Sequence, residues 1–156
     1  MNSDNLIIDP VMEIVHDAFD FQRSELCNNL RKTGHPPYYW KHVKINTHRR
    51  AGFTSAALKL QQIYTSTLII THQHGAKRNV WYLAEELGLY EPWIQDQTKA
   101  AWEVFETNYF RALKAEQRHQ LIIIDPMSMV KQELKSRVHE FRDYLFHHCD
   151  LLVELG

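Results

Sequence analysis

Three short apolar runs, each set between longer helical patterns, constrain this chain more than any other feature. Residues 68–70 lie within STLIIT, residues 121–124 within HQLIIIDP, and residues 151–155 form the last run. Three or four consecutive apolar residues are too few for a helix and suit a strand buried on both faces, as in a parallel sheet covered by helices. An earlier strand is expected over 41–47, where Val43 and Ile45 alternate with polar residues. Between these runs the apolar residues recur at three- and four-residue steps. From Asp9-Pro10 they are Val11, Ile14, Val15, Ala18, Phe19, Leu26 and Leu30, a helix that stops near Gly34 because His35-Pro36-Pro37 cannot continue it. Helices are likewise expected over 53–64, from the 72–75 turn to Leu87 with Gly88 as the stop, over 96–117, and over 129–148.

Strand alternating with helix in this way predicts a three-layer α/β/α fold around a mostly parallel sheet of four to five strands. With 156 residues there is enough chain for one core, so residues 1–156 read as one domain. Within it, 1–37 is an N-terminal helix and aromatic connector and 38–156 is the core. The amphipathic 1–32 segment either covers one face of that core or pairs with a second subunit. Composition is that of an ordinary globular protein, 44% hydrophobic and 24% charged with five glycines and five prolines. A net charge of −1 gives no global footprint for nucleic acid, although a local patch is compatible with it. No apolar run approaches the roughly 20 residues that span a bilayer, and a cytoplasmic location is expected. Cys27 and Cys149 lie far apart in helical patterns and read as reduced, buried thiols rather than a disulfide framework.

In a parallel sheet, ligands bind outside the carboxyl ends of the strands. The loops expected there carry Thr47, His48, Arg49, Arg50 and Gly52 after the first strand, His72, Gln73 and His74 after the second, and Asp125, Met127 and Ser128 after the third. One crevice would therefore gather cations, imidazoles and a carboxylate. The N–H groups that open the helix at Phe53 favour an anion. The same segment also reads as nothing more than a tight strand-to-helix turn with solvated arginines.

The stretch NTHRRAGFTSAA and the later LIIID resemble the two phosphate-binding motifs of P-loop NTPases, in particular the helicase-like and terminase-like ATPases. Against G-x-x-x-x-G-K-[ST], Thr47 takes the first glycine position, Gly52 the second, Phe53 the lysine position and Thr54 the hydroxyl position. The resemblance spans roughly residues 43–155. It implies a nucleotide such as ATP with Mg²⁺, held by Thr47, His48, Arg49, Arg50, Gly52, Phe53, Thr54 and Asp125, with Thr54 and Asp125 serving the metal. It also implies departures. The family's lysine stabilises charge on the transferred phosphate, and Phe53 has none to offer; the residue after the aspartate, often a glutamate that orients water, is Pro126. Losing one such donor costs about two to three orders of magnitude in rate. The resemblance thus implies a catalytically degenerate domain that acts by binding, such as a phage-type accessory or regulatory factor whose partner is a related ATPase, a nucleic-acid machine or nucleic acid itself. The alternative is an active nucleotide-processing enzyme that uses Arg49 or Arg50, Thr54 and Asp125 in altered roles.

Three further readings compete with blander ones. His72 and His74, with Asp125 and His48, offer nitrogen and oxygen ligands for a transition metal, yet ten histidines make chance pairs common. Lys77 and Arg78 open the helix after the second strand, where a nucleic-acid backbone would pass, or else form a solvated face compensated by Glu85 and Glu86. Tyr38-Tyr39-Trp40 is either packing or a platform for a base or ring.

Overall fold

The computed structural model describes residues 5–46, 52–64, 66–106, 109–112 and 119–156. Helices α1 (Asn5–Gln22), α2 (Glu25–Lys32) and α3 (Tyr38–Lys41) lead into strand β1 (His42–Ile45). Then follow α4 (Phe53–Ile63), β2 (Thr67–Thr71), α5 (His74–Glu86), α6 (Trp93–Asp96), β3 (Thr98–Ala100) and α7 (Ala101–Glu106). A 3₁₀ turn (Tyr109–Ala112), β4 (His119–Ile124), α8 (Met127–Leu134), α9 (Val138–Phe146) and β5 (Cys149–Leu155) complete the order. The five strands form one sheet in the order β1-β5-β4-β2-β3, and every pair is parallel.

The apolar runs work as two-faced strands. Ile69, Leu121, Ile123, Leu151, Val153 and Leu155 pack on one side with Val11, Val15 and Phe19 of α1, and with α4 and α5. Leu68, Ile70, Ile122, Ile124 and Leu152 pack on the other with α7, α8 and α9. Alternate residues thus face opposite layers, as the pleat requires. Both cysteines are free and buried. No helix among the described residues is long and apolar enough to cross a membrane.

Three expected helices divide. The first breaks at Ser24, whose hydroxyl donates to the Phe21 carbonyl at 2.6 Å and accepts from the Cys27 N–H at 3.2 Å, so that it caps α2. The stretch 96–117 is not one helix. Thr98 and Ala100 are buried at the sheet edge, opposite Ile69 and Thr71 of β2, and among the described residues α7 and the 3₁₀ turn follow. The helical period there came from Trp102, Val104, Phe105 and Phe110, which do share the second core; ladder pairing overrode it upstream. The last helix turns at Lys135, which has φ 54°, so that Val130 and Leu134 on α8 and Phe141 and Leu145 on α9 all reach the same sheet face.

One charged cluster is built into this frame. Glu154 of β5, 4% exposed, accepts two 2.8 Å hydrogen bonds from Arg142 Nε and Nη2 and is also paired with His42 Nε2 of β1. Burial pushes the Glu154 carboxyl up, but the hydrogen bonds from His42 and Arg142 and their charges outweigh it and hold it at about 2. The folded state therefore prefers the ionised form. That stabilisation is complete above the ordinary glutamate range, and is lost as pH falls from about 4.5 through about 2.

Removing one partner of a buried pair leaves the other uncompensated, so Arg142→Ala is expected to cost about 3–5 kcal/mol in urea unfolding at pH 7. The stability gap between the wild type and Glu154→Gln should narrow as pH is lowered from 5 to 2. A gap that is constant with pH would show that the pair does not supply this stability.

Candidate functional site

The chain's path fixes where a crevice opens. From β1 and β2 the connections run through α4 and α5 on one face, toward the β3 edge; from β3 and β4 they run through α7, α8 and α9 on the other, back toward β5. Right-handed crossovers in opposite directions put their helices on opposite faces. The carboxyl ends of the neighbouring strands β2 and β4 therefore diverge, one into α5 and one into α8, which is a topological switch point.

A cleft of about 250 Å³ lies there, lined by Thr54, Thr71, His72, Ala76, Asn79, Val80, Leu83, Asp125 and Pro126. Its central hydrogen bond joins residues 71 apart in sequence: Thr54 Oγ1 donates to Asp125 Oδ2 at 2.7 Å. Thr54 stands in the first turn of α4, directly after Gly52 and Phe53. Gly52 has φ 74°, a left-handed conformation that costs other residues about 1–2 kcal/mol. Asp125 directly follows β4, its N–H bonded to the Ile70 carbonyl at 2.9 Å. The N-cap position of α8 belongs to Pro126, so Asp125 does not cap that helix.

Asp125 is 6% exposed. Burial raises its carboxyl above the ordinary aspartate range, and the Thr54 hydroxyl pulls it partly back down. No cation neutralises it among the described residues, in contrast to Glu154. At the end of the neighbouring strand, His72 Nδ1 is buried and makes no hydrogen bond among the described residues. A hydroxyl and a carboxylate oxygen in contact are ligand types that a hard cation such as Mg²⁺ takes.

The remaining expected residues divide. Thr47, His48, Arg49 and Arg50 lie outside the described residues. Phe53 is partly buried against the first core. His72 reaches the cleft but His74 does not: its Nδ1 lies 2.8 Å from Glu103 Oε1 on α7. No group of three or more His, Cys, Asp or Glu side chains able to hold a metal occurs among the described residues, so the imidazole pair is not brought together with Asp125. Lys77 is ion-paired with the same Glu103 oxygen, leaving Arg78 exposed beside it. The compensating carboxylate is therefore Glu103 rather than Glu85 or Glu86. Asn79 lines the cleft although no motif in the sequence marks it. The signal for it is a matter of spacing, since 76, 79, 80 and 83 are one helix face, and a polar residue interrupts an otherwise apolar stripe there.

A buried carboxylate with a raised pKa costs stability while ionised, and the cost disappears as pH falls through the raised value. Asp125→Asn keeps an acceptor for Thr54 and removes the charge. It is expected to raise the Tm at pH 7 by about 2–4 °C, equivalent to about 1 kcal/mol for a chain of this size. A lower Tm in thermal melts would make Asp125 a structural residue.

No protein-family model, curated protein or solved structure matches this chain.

Proposed function

We propose that this chain is a catalytically degenerate P-loop NTPase-like domain that acts by binding a nucleotide phosphate tail with Mg²⁺ at the β2/β4 cleft. The observation that carries this reading is the Thr54–Asp125 hydrogen bond. It joins the hydroxyl at the start of the loop helix to the carboxylate at the end of the central strand, the two positions at which the sequence resemblance expects metal oxygens. In this reading Thr54 and Asp125 hold the cation, directly or through its water. The α4 N-terminus faces the phosphate, and His72 Nδ1 gains a hydrogen-bond partner.

The size of the cleft limits what enters. About 250 Å³ is below the roughly 300–1,000 Å³ of sites that engulf a small molecule, so the phosphates and cation occupy it while sugar and base lie outside. The side chains that would drive hydrolysis are missing. Phe53 packs on the core where a cation would reach the phosphates, and Pro126 lines the cleft where a base would hold water. Binding without turnover makes occupancy itself the signal, read by a protein or nucleic-acid partner.

Calorimetric titration with ATP, GTP and a non-hydrolysable analogue, each with and without Mg²⁺, tests this. Micromolar binding that needs Mg²⁺ is expected, weakened at least about tenfold by Thr54→Ala and by Asp125→Asn, with no phosphate released over hours. No heat and no thermal shift with any nucleotide would overturn the assignment, and multiple turnovers would replace it with an enzyme.

A further inference from the structure

Charge is divided along this chain in a way its net value of −1 conceals. Residues 26–84 contain nine of the eighteen Lys and Arg and none of the nineteen Asp and Glu. All the carboxylates therefore lie in the flanking segments. The basic segment begins with the end of α2, the 33–37 connector, α3 and β1, and β1 is an outermost strand of the sheet.

Exposed aromatic rings are held among these cations. Tyr38 and Tyr39 are 53% and 51% exposed, although large aromatic side chains usually find cover. Their rings are stacked on each other at 4.8 Å and 22°. His35 meets Tyr39 edge-on at 5.3 Å, and the Arg31 guanidinium lies 5.4 Å over the Trp40 ring, which ties the end of α2 to α3. Arg31, Lys32 and Lys44 are exposed, and none is paired with a carboxylate among the described residues. Arg31 does donate to the Gln22 carbonyl and to Asn28 Oδ1, neutral acceptors that position its charge without cancelling it.

We infer that this β1 edge is a binding surface for single-stranded nucleic acid, with bases stacking on Tyr38 and Tyr39 and the phosphate backbone following Arg31, Lys32 and Lys44. Stacked rings offer π-faces to any unpaired base, and exposed cations that no carboxylate pairs among the described residues attract the backbone; this is the combination that single strands use. A duplex hides its base faces and can use only the cations. The surface lies toward the amino end of β1, whereas the nucleotide cleft lies at the carboxyl ends of β2 and β4, so the two assignments stand or fall separately.

Fluorescence anisotropy at low salt with labelled oligo-dT, oligo-U and a duplex of equal length tests the inference, and the first two arms separate DNA from RNA. At least one single strand should bind more tightly than the duplex. Tyr38→Ala combined with Tyr39→Ala should weaken it by about tenfold or more. Lys32→Gln combined with Lys44→Gln should weaken it and flatten its salt dependence, by about 0.7 in the log–log slope for each phosphate that is no longer neutralised. The lysine variant carries the test if the tyrosine variant does not fold. Met129→Ala, exposed on α8, should bind as the wild type does. Failure of both single strands to bind, a duplex that binds as tightly, or binding unaltered in both paired variants would overturn the inference.

Discussion

Burial of the central strands on both faces is the constraint on which the rest depends. Every residue of β2 is buried, as are residues 121–124 of β4 and 151–155 of β5. A parallel sheet this apolar must be covered by a layer on each side. The chain meets that demand by running first toward β3 with α4 and α5 on one face, then back toward β5 with α8 and α9 on the other. The reversal parts the loops after β2 and β4. The crevice thus follows from covering both faces of one sheet, and the residues at its mouth are the ones that happen to follow the apolar runs: His72 after β2 and Asp125 after β4.

Two buried carboxylates in this frame meet opposite fates. Glu154 is paired with Arg142 and His42, and its carboxyl is held at about 2. Among the described residues Asp125 is met by the Thr54 hydroxyl and by no cation, and burial raises it. The first is satisfied within the chain and fixes β1, β5 and α9 against one another. The second lines a cleft with no cation beside it among the described residues, the arrangement expected where a ligand cation supplies the missing charge. Burial is similar for the two, so the difference lies in their partners.

Much of the fold was legible in the sequence because its strands are short, apolar and bounded. The runs at 68–70, 121–124 and 151–155 became β2, β4 and β5, and the helix expected from residue 53 is α4, which begins at Phe53. β3 was not legible: Thr98–Ala100 has no apolar run and is a strand only because β2 offers it an edge. The divisions at Ser24 and Lys135 were hidden for a related reason, since the apolar period continues across both while the backbone turns. Thr54 and Asp125, singled out by motif spacing, line one cleft, but their direct hydrogen bond had no mark in the sequence. The pairing of Lys77 and His74 was hidden because their partner, Glu103, comes from α7, inside a stretch whose period suggests one long helix. The Glu154 cluster leaves no mark on the sequence because it joins β1, β5 and α9 across more than a hundred residues, a pairing no local pattern records.

In the proposed function, Thr54 and Asp125 hold a phosphate and its cation in the β2/β4 cleft. Backbone amide resonances of ¹⁵N-labelled protein, followed with Mn²⁺ in place of Mg²⁺, address it most directly. With ADP present, paramagnetic broadening should centre on Thr54, His72 and Asp125 and fade with distance from them. Broadening centred on another part of the sheet, or identical with and without the nucleotide, would contradict the account.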